Sequence, residues 1–274
     1  MALRKTAKQP VISTLKDKQE EKRTKSFLEE ICQRLPEKFP LGINHDHISK
    51  SIGYMENFEI TKIPNYDNEW MIVADVYLEE KEDLNEALGG FSFSWTEPFM
   101  TVKENEIGCI YIPYPHYNDN DFLVSLYDDE KGISIGKWKK KEADPVLTSL
   151  IVGAFYMLIT PAWTKFYDET IAPSILSLIE KCKPAEERGI SFNYGQVIDH
   201  ESHGKVHLHF IPNKKESLEE IHPELIKSGT QLAVDFLEDE TSEVYQIKLY
   251  YHSSDLGYRL HCVQYQNGNE KYHS

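Results

Sequence analysis

A stretch of 20 residues, from Pro145 to Thr164 (PVLTSLIVGAFYMLITPAWT), contains no charged side chain. An apolar run of about 20 residues is long enough to span a membrane as a helix. Two prolines, Pro145 and Pro161, shorten the continuous helix because proline interrupts helical hydrogen bonding. The sequence therefore predicts a buried core helix over Val146–Ile159. The alternative is a membrane-active segment over 145–164.

Apolar residues at helical spacing predict an N-terminal helix from about Lys16 to Leu35 and a second core helix from about Lys165 to Cys182. A short helix is predicted near Leu218–Lys227, ended by Gly229. Runs of alternating apolar residues between turn residues predict strands at Ile52–Ile63, Trp70–Leu78, Phe91–Trp95, Ile107–Ile112, Phe122–Tyr127, Ile133–Trp138, Ser191–Ile198, Lys205–Ile211, Gln231–Phe236, Glu243–Tyr251 and Tyr258–Tyr265. Because helices and strands come in runs, the predicted fold class is α+β, with a mostly antiparallel sheet, the N-terminal helix and a central pair of core helices.

The chain has 274 residues, which is long enough for one large domain or two smaller ones. We expect a disordered basic arm over residues 1–15, an α+β region over 16–184 and a β-rich region over 185–274. The charged turn at Pro184–Gly189 is the best candidate boundary. A single continuous domain is the alternative.

The formal net charge of the chain is −15. Binding to nucleic acid without sequence preference requires clustered lysine and arginine, so we do not expect general nucleic-acid binding. The charge is uneven, because the first 25 residues contain eight basic and three acidic side chains. The rest of the chain is therefore strongly acidic, and a basic partner is favoured.

Four cysteines, Cys32, Cys109, Cys182 and Cys262, are widely spaced and form no CxxC pair. This spacing does not suggest a disulfide framework. The first residues contain no continuous apolar segment of the kind found in secretory signals. We therefore expect a soluble cytoplasmic protein with reduced thiols.

Histidines are concentrated in the segment DHESHGKVHLHF, residues 199–210. His207 and His209 alternate along a predicted strand and so point to the same face, while His203 lies on the turn before it. Three imidazoles with a nearby carboxylate could bind Zn²⁺. The sequence V-H-L-H-F-I-P is similar to part of the histidine-triad pattern of nucleotide hydrolases, which would imply a metal-dependent hydrolase or a nucleotide-processing enzyme. The alternative is that His207 and His209 lie on the solvated face of an edge strand.

Several short elements occur in a characteristic order: D-V-Y (Asp75–Tyr77), G-F-S (Gly90–Ser92), P-F-M (Pro98–Met100) and E-I-G-C-I-Y-I-P (Glu106–Pro113). This order resembles the suppressor-of-fused-like domain family, which in bacteria includes immunity proteins against polymorphic toxins. The resemblance implies binding of a protein partner and no catalytic residues.

Aromatic side chains and carboxylates occur together between residues 95 and 121, and aromatic anchors with steering charge are typical of protein interfaces. The candidate partner-binding residues are Trp95, Tyr111, Tyr114, Tyr117, Asp119 and Asp121. The alternative is that most of these aromatic residues belong to the core. The leading hypothesis is a cytoplasmic protein-binding protein without a cofactor, an immunity or antagonist protein with a basic partner. The alternatives are the zinc-dependent enzyme that uses His203, His207 and His209, and a membrane-acting effector that uses residues 145–164.

Overall fold

The structure is a computed structural model, and it describes residues 3–16, 22–41, 50–79, 94–102, 108–140, 149–158, 163–213 and 217–273. The chain divides into two compact units. The first contains Met1–Ser94, Lys140–Asp144 and Gln266–Gly268, and the second contains Trp95–Lys139, Pro145–Tyr265 and Asn269–Ser274. The turn at Pro184–Gly189, predicted as a boundary, therefore lies inside the second unit.

The first unit contains a four-stranded antiparallel sheet with the order β1-β4-β3-β2. Its strands are β1 (Leu3–Ser13), β2 (Lys38–Leu41), β3 (Gly53–Lys62) and β4 (Trp70–Glu79). The disordered arm predicted over residues 1–15 is wrong, because β1 pairs with β4 along this segment. Burial of Val11 and Ile12 and an ion pair from Lys5 Nζ to Asp75 Oδ2 at 3.0 Å explain why the basic segment is ordered.

Helix α1 (Lys25–Arg34) follows β1 and begins at Thr24, whose side chain accepts a hydrogen bond from Phe27 N. This is the typical role of threonine at a helix N-cap. Leu28 and Ile31 are buried on one face of α1. The predicted N-terminal helix from Lys16 is not confirmed in that form, because the helix is shorter and a strand precedes it.

The second unit contains a nine-stranded sheet with the order β13-β12-β11-β10-β9-β8-β6-β7-β5. Three neighbouring pairs, β6 with β7, β8 with β9 and β10 with β11, are parallel, and the other pairs with assigned registers are antiparallel. The strands are β5 (Ser94–Met100), β6 (Gly108–Pro113), β7 (Ile133–Lys140), β8 (Ser149–Leu158), β9 (Ser191–His200), β10 (Gly204–Ile211), β11 (Val244–His252), β12 (Gly257–Tyr265) and β13 (Glu270–Tyr272). The mixed α/β class with antiparallel-rich sheets is confirmed.

The core helix predicted over Val146–Ile159 is wrong, because residues 149–158 form strand β8. β8 lies between β6 and β9 in the interior of the sheet. A strand that is covered on both faces can be apolar along its whole length, and such a run cannot be distinguished from a buried helix by its pattern alone. Residues 145–148 and 159–162 lie outside the described residues. The central pair of core helices is therefore not formed, and no described helix is long and apolar enough to cross a membrane.

The helices of the second unit are α2 (Asn120–Leu126), α3 (Trp163–Phe166), α4 (Ala172–Glu186) and α5 (Pro223–Asp239). A wide helical turn over Tyr167–Ile171 connects α3 to α4. Two predicted strands, Phe122–Tyr127 and Gln231–Phe236, are wrong, because residues 122–126 lie in α2 and residues 231–236 lie in α5. The sequence LAVDF reads as a strand by itself, but in α5 its buried residues continue an apolar helical face that begins at Ile226.

The helix predicted near Leu218–Lys227 was expected to end at Gly229, but α5 continues to Asp239. Gly229 lies inside this helix and packs against the sheet. A β-carbon at position 229 would lie 2.7 Å from Phe210 Cε1 and 3.3 Å from Tyr258 Cβ. Phe210 and Tyr258 are themselves buried and contact each other with ring centroids 5.1 Å apart. The glycine therefore allows α5 to approach β10 and β12 closely.

Candidate functional site

The predicted partner-binding residues lie around α2, on the segment that connects β6 to β7. The chain leaves β6 at Pro113 and makes a short 3₁₀ turn over His116–Asn118. It then enters α2 at Asp119, whose Oδ1 accepts a hydrogen bond from Phe122 N at 2.9 Å. Phe122, Leu123 and Leu126 are buried, so α2 is attached to the second unit by its inner face.

The aromatic residues of this segment have different surroundings. Tyr114 is 43% exposed, whereas Tyr117 is 2% exposed and belongs to the core. The two rings contact edge to face, with centroids 5.8 Å apart. Tyr111 is partly buried and packs against the core. Tyr114 is therefore available to a partner in this structure, and the prediction of Tyr117 as a contact residue is corrected.

Trp95 is in β5, at a position where the structure does not describe the side chain. The predicted role of Trp95 in partner binding therefore remains a prediction.

Asp119 is exposed, but its charge is partly neutralised by Arg188. Arg188 Nη1 donates a hydrogen bond to Asp119 Oδ2 at 2.9 Å, and the guanidinium carbon lies 3.9 Å from the centre of the Phe122 ring. The ion pair with Arg188 and the hydrogen bond from Phe122 N lower the pKa of Asp119. Burial, together with the positive charge of Arg188, lowers the pKa of the neighbouring His116, although Asp119 acts in the opposite direction.

The outer face of α2 carries the other part of the candidate surface. Asp121 is exposed, and Val124, three residues later on the same face of the helix, is 53% exposed. Sequence analysis missed Val124, because it lies in a segment that reads as a strand. We call Tyr114, Asp119, Asp121 and Val124 the α2 surface. It combines apolar side chains that can be buried by a partner with carboxylates that favour a basic one.

The histidines of the second hypothesis do not meet at one place. His207 and His209 lie on β10, which pairs with β9 and with β11 and is therefore not an edge strand. The His207 ring contacts Tyr245, with centroids 5.3 Å apart. Val206, Leu208 and Phe210 alternate with these histidines and are part of the core that includes Leu237 of α5. His207 and His209 therefore point away from α5.

His203 lies on the turn between β9 and β10 and contacts α5. Its Nε2 donates a hydrogen bond to the carbonyl oxygen of Leu237 at 2.9 Å. The ring of His200 lies beside it, with centroids 5.1 Å apart. The structure thus places His203 with His200, on the side of the sheet opposite to His207 and His209. Over the described residues, no group of three or more histidine, cysteine, aspartate or glutamate side chains is arranged to hold a metal ion.

None of the four cysteines, all of which are described, forms a disulfide bond. Cys182 and Cys262 are fully buried, and burial raises the pKa of the Cys262 thiol to about 11. A buried thiol that remains protonated is a poor nucleophile and a poor metal ligand. These two cysteines therefore act as core residues in this structure.

The fold and these sites define a mixed α/β protein with antiparallel-rich sheets. Comparison with protein-family models, with curated proteins and with solved structures gives no match to this chain.

Proposed function

We propose that this protein binds a basic protein partner through the α2 surface. The observation that carries the proposal is the exposure of Tyr114 and Val124 on the same short segment as the exposed Asp119 and Asp121, in a chain whose net charge is −15. Exposed aromatic and aliphatic side chains supply apolar area for an interface, and carboxylates around them select a cationic partner and accelerate its association.

The biological role that we propose is that of a cytoplasmic immunity or antagonist protein. This role follows the expectation from the resemblance to suppressor-of-fused-like domains, whose bacterial members include immunity proteins. An inhibitor of this kind needs no catalytic group of its own, because it acts by covering a surface of its target. The proposal therefore depends on binding alone and can be tested without a substrate.

The experiment is affinity capture from native cells with quantitative mass spectrometry, comparing three forms of the full chain. The test variant carries Tyr114→Ala and Asp121→Asn. The control carries Tyr66→Ala and Asp255→Asn, because Tyr66 is 55% exposed and Asp255, like Asp121, is an exposed aspartate. We expect a basic protein that is captured by the wild type and the control but is strongly depleted with the test variant. Equal capture by all three forms would contradict the proposal.

The electrostatic part is tested separately once the partner is captured. Surface charge attraction is screened by salt, with a screening length of about 10 Å at 0.1 M. The association rate constant should therefore fall between low and high salt, whereas the dissociation rate constant should change much less. An association rate that does not depend on salt would contradict the role of the carboxylates.

A further inference from the structure

Helices α3 and α4 and the turn between them form one continuous helical segment over residues 163–186, which we call the 163–186 helix. Phe166, Ile171 and Ala172, where its three parts join, all have right-handed helical φ and ψ angles. The inner face is buried in the core through residues spaced three or four apart: Trp163, Tyr167, Ile171, Ile175, Leu178, Cys182 and Ala185. Attachment to the core therefore uses one face and leaves the opposite, outer face at the surface.

The outer face of the 163–186 helix carries apolar side chains that are open to solvent. Phe166 is 44% exposed and Leu176 is 49% exposed, and Pro173 is exposed between them. These three residues follow each other at seven and three positions along the helix, so they lie on the same side of it. Apolar side chains that are grouped at the surface with charged residues around them are typical of a protein interface.

The charged residues of the outer face indicate what could cover these apolar side chains. Lys165 Nζ lies 3.8 Å from Glu169 Oε1 at one end of the face, and Lys183 Nζ lies 2.6 Å from Glu180 Oε1 at the other. The face is therefore of mixed charge and does not favour a basic partner. Lys165 lies eight residues before Pro173 and Glu180 lies seven residues after it, so opposite charges stand at nearly equal distances from the middle of the face.

We propose that the outer face of the 163–186 helix binds the same face of a second copy of this chain, with the two helices antiparallel and the two-fold axis near Pro173. A two-fold dimer uses one patch twice, so a contact from one residue to another is repeated in reverse. Lys165 of one copy then lies opposite Glu180 of the other, and a second such pair follows by symmetry. Leu176 of one copy lies opposite the part of the other helix between Phe166 and Pro173, where its side chain becomes buried.

The size of the outer face predicts a weak dimer. A standard stable interface buries about 800 Å² on each partner, and the three apolar residues of this face supply only part of that area. We therefore expect association in the micromolar range and a folded monomer at lower concentration. The inference does not depend on the proposed basic partner, because none of its residues belongs to the α2 surface.

The test is sedimentation velocity of the full chain across the micromolar range. We expect the sedimentation coefficient of the wild type to rise with concentration toward that of a dimer. Leu176→Glu should remain monomeric, because the contact would bury a carboxylate. Leu256→Glu is the matched control and should dimerise like the wild type, since Leu256 is 70% exposed but lies in the turn between β11 and β12.

Charge reversal tests the antiparallel arrangement of the two copies. Lys165→Glu should weaken dimerisation by about tenfold, because it places like charges together at both symmetry-related contacts. The double variant Lys165→Glu with Glu180→Lys should restore dimerisation to the level of the wild type. Residues 165 and 180 are about 20 Å apart along one helix, well beyond the screening length, so this rescue cannot arise within a single chain.

All substituted side chains are exposed, and a circular dichroism spectrum like that of the wild type shows that each variant is folded. The proposal is overturned if the wild type stays monomeric across the micromolar range. It is also overturned if Leu176→Glu dimerises like the wild type, if Leu256→Glu weakens dimerisation as much as Leu176→Glu does, or if the double variant dimerises no better than Lys165→Glu.

Discussion

The guanidinium of Arg188 lies 3.9 Å from the centre of the Phe122 ring while it also pairs with Asp119 at 2.9 Å. Arg188 follows the end of α4, and Phe122 is in the first turn of α2. The contact therefore connects these two helices of the second unit at the surface. A guanidinium stacked on an aromatic face and paired with a carboxylate uses both recognition modes that distinguish arginine from lysine. In the proposed complex, the partner would therefore approach an Asp119 that already has a cation beside it.

The two functions of Asp119, as N-cap and as ion-pair partner, can be separated by mutation. Asparagine caps a helix about as well as aspartate, whereas alanine cannot accept the hydrogen bond from Phe122 N. Asp119→Asn should therefore leave the urea midpoint close to that of the wild type, since an exposed ion pair contributes little. Asp119→Ala should lower the midpoint. Equal midpoints for the two variants would contradict the assigned cap.

The close contact at Gly229 predicts a large effect from a very small substitution. Gly229→Ala should reduce the free energy of unfolding by about 1–3 kcal/mol, because the new methyl group would overlap Phe210. Gly257→Ala is the matched control, since its β-carbon would have no neighbour nearer than the Asp255 oxygen at 3.9 Å. Denaturant unfolding of both variants tests this prediction. In a Phe210→Leu background, Gly229→Ala should reduce the free energy of unfolding by less than it does in the wild type, which would identify the ring as the cause. An equal reduction in both backgrounds would contradict this explanation.

A buried pair of polar side chains joins β9 to α5, and we expect mutations of its two residues to have non-additive effects on stability. Gln196 Nε2 donates to Thr230 Oγ1 at 2.6 Å, and Thr230 donates in turn to the Ile226 carbonyl at 2.8 Å. Thr230→Val should reduce the free energy of unfolding by about 1–3 kcal/mol, because it leaves the Gln196 amide buried without this acceptor. The double variant with Gln196→Leu should cost less than the sum of the single variants. Additive changes in the free energy of unfolding would show that the two side chains are not coupled.

Lys5 of β1 pairs with Asp75 of β4, and this carboxylate should make the stability of the first unit depend on pH. Hydrogen bonds from Asn57 and then from Lys5 lower the pKa of Asp75. A carboxyl with a lowered pKa in the folded state stabilises it above the ordinary aspartate pKa of about 4, and this contribution is lost as the pH falls through the folded pKa. The stability difference between the wild type and Asp75→Asn should therefore be largest near neutral pH and should shrink below about pH 4. A difference that is constant with pH would contradict the assignment.

Local chemistry explains which elements could be predicted from the sequence. Strands β7, β9 and β12 begin close to their predicted positions, because turn residues define them: Gly132 and Gly189 have positive φ angles of 63° and 80° and precede β7 and β9. The segments that were misassigned, Val146–Ile159, Phe122–Tyr127 and Gln231–Phe236, are those whose secondary structure depends on distant partners. β8 needs β6 and β9 on both edges, and the strand-like part of α5 is helical because its apolar face packs on the sheet.

The candidate site was predictable only in part for the same reason. Tyr114, Asp119 and Asp121 were identified from residue type, and they lie where the chain turns at the surface. Val124 could not be identified, because its exposure depends on α2 being a helix. Arg188 is 69 residues away from Asp119 in sequence, and no local pattern connects them. His200 and His203 face α5 rather than His207, because the turn folds toward the end of that helix.

We propose that a basic partner covers the α2 surface of this protein. The most direct measurement is site-specific photocrosslinking to the captured partner, with p-benzoylphenylalanine placed at position 124 or at position 256. Leu256 is the stricter control because it is 70% exposed, more than Val124. We predict a crosslinked complex with the probe at position 124 and none at position 256. Crosslinking at position 256 without crosslinking at position 124 would contradict the account.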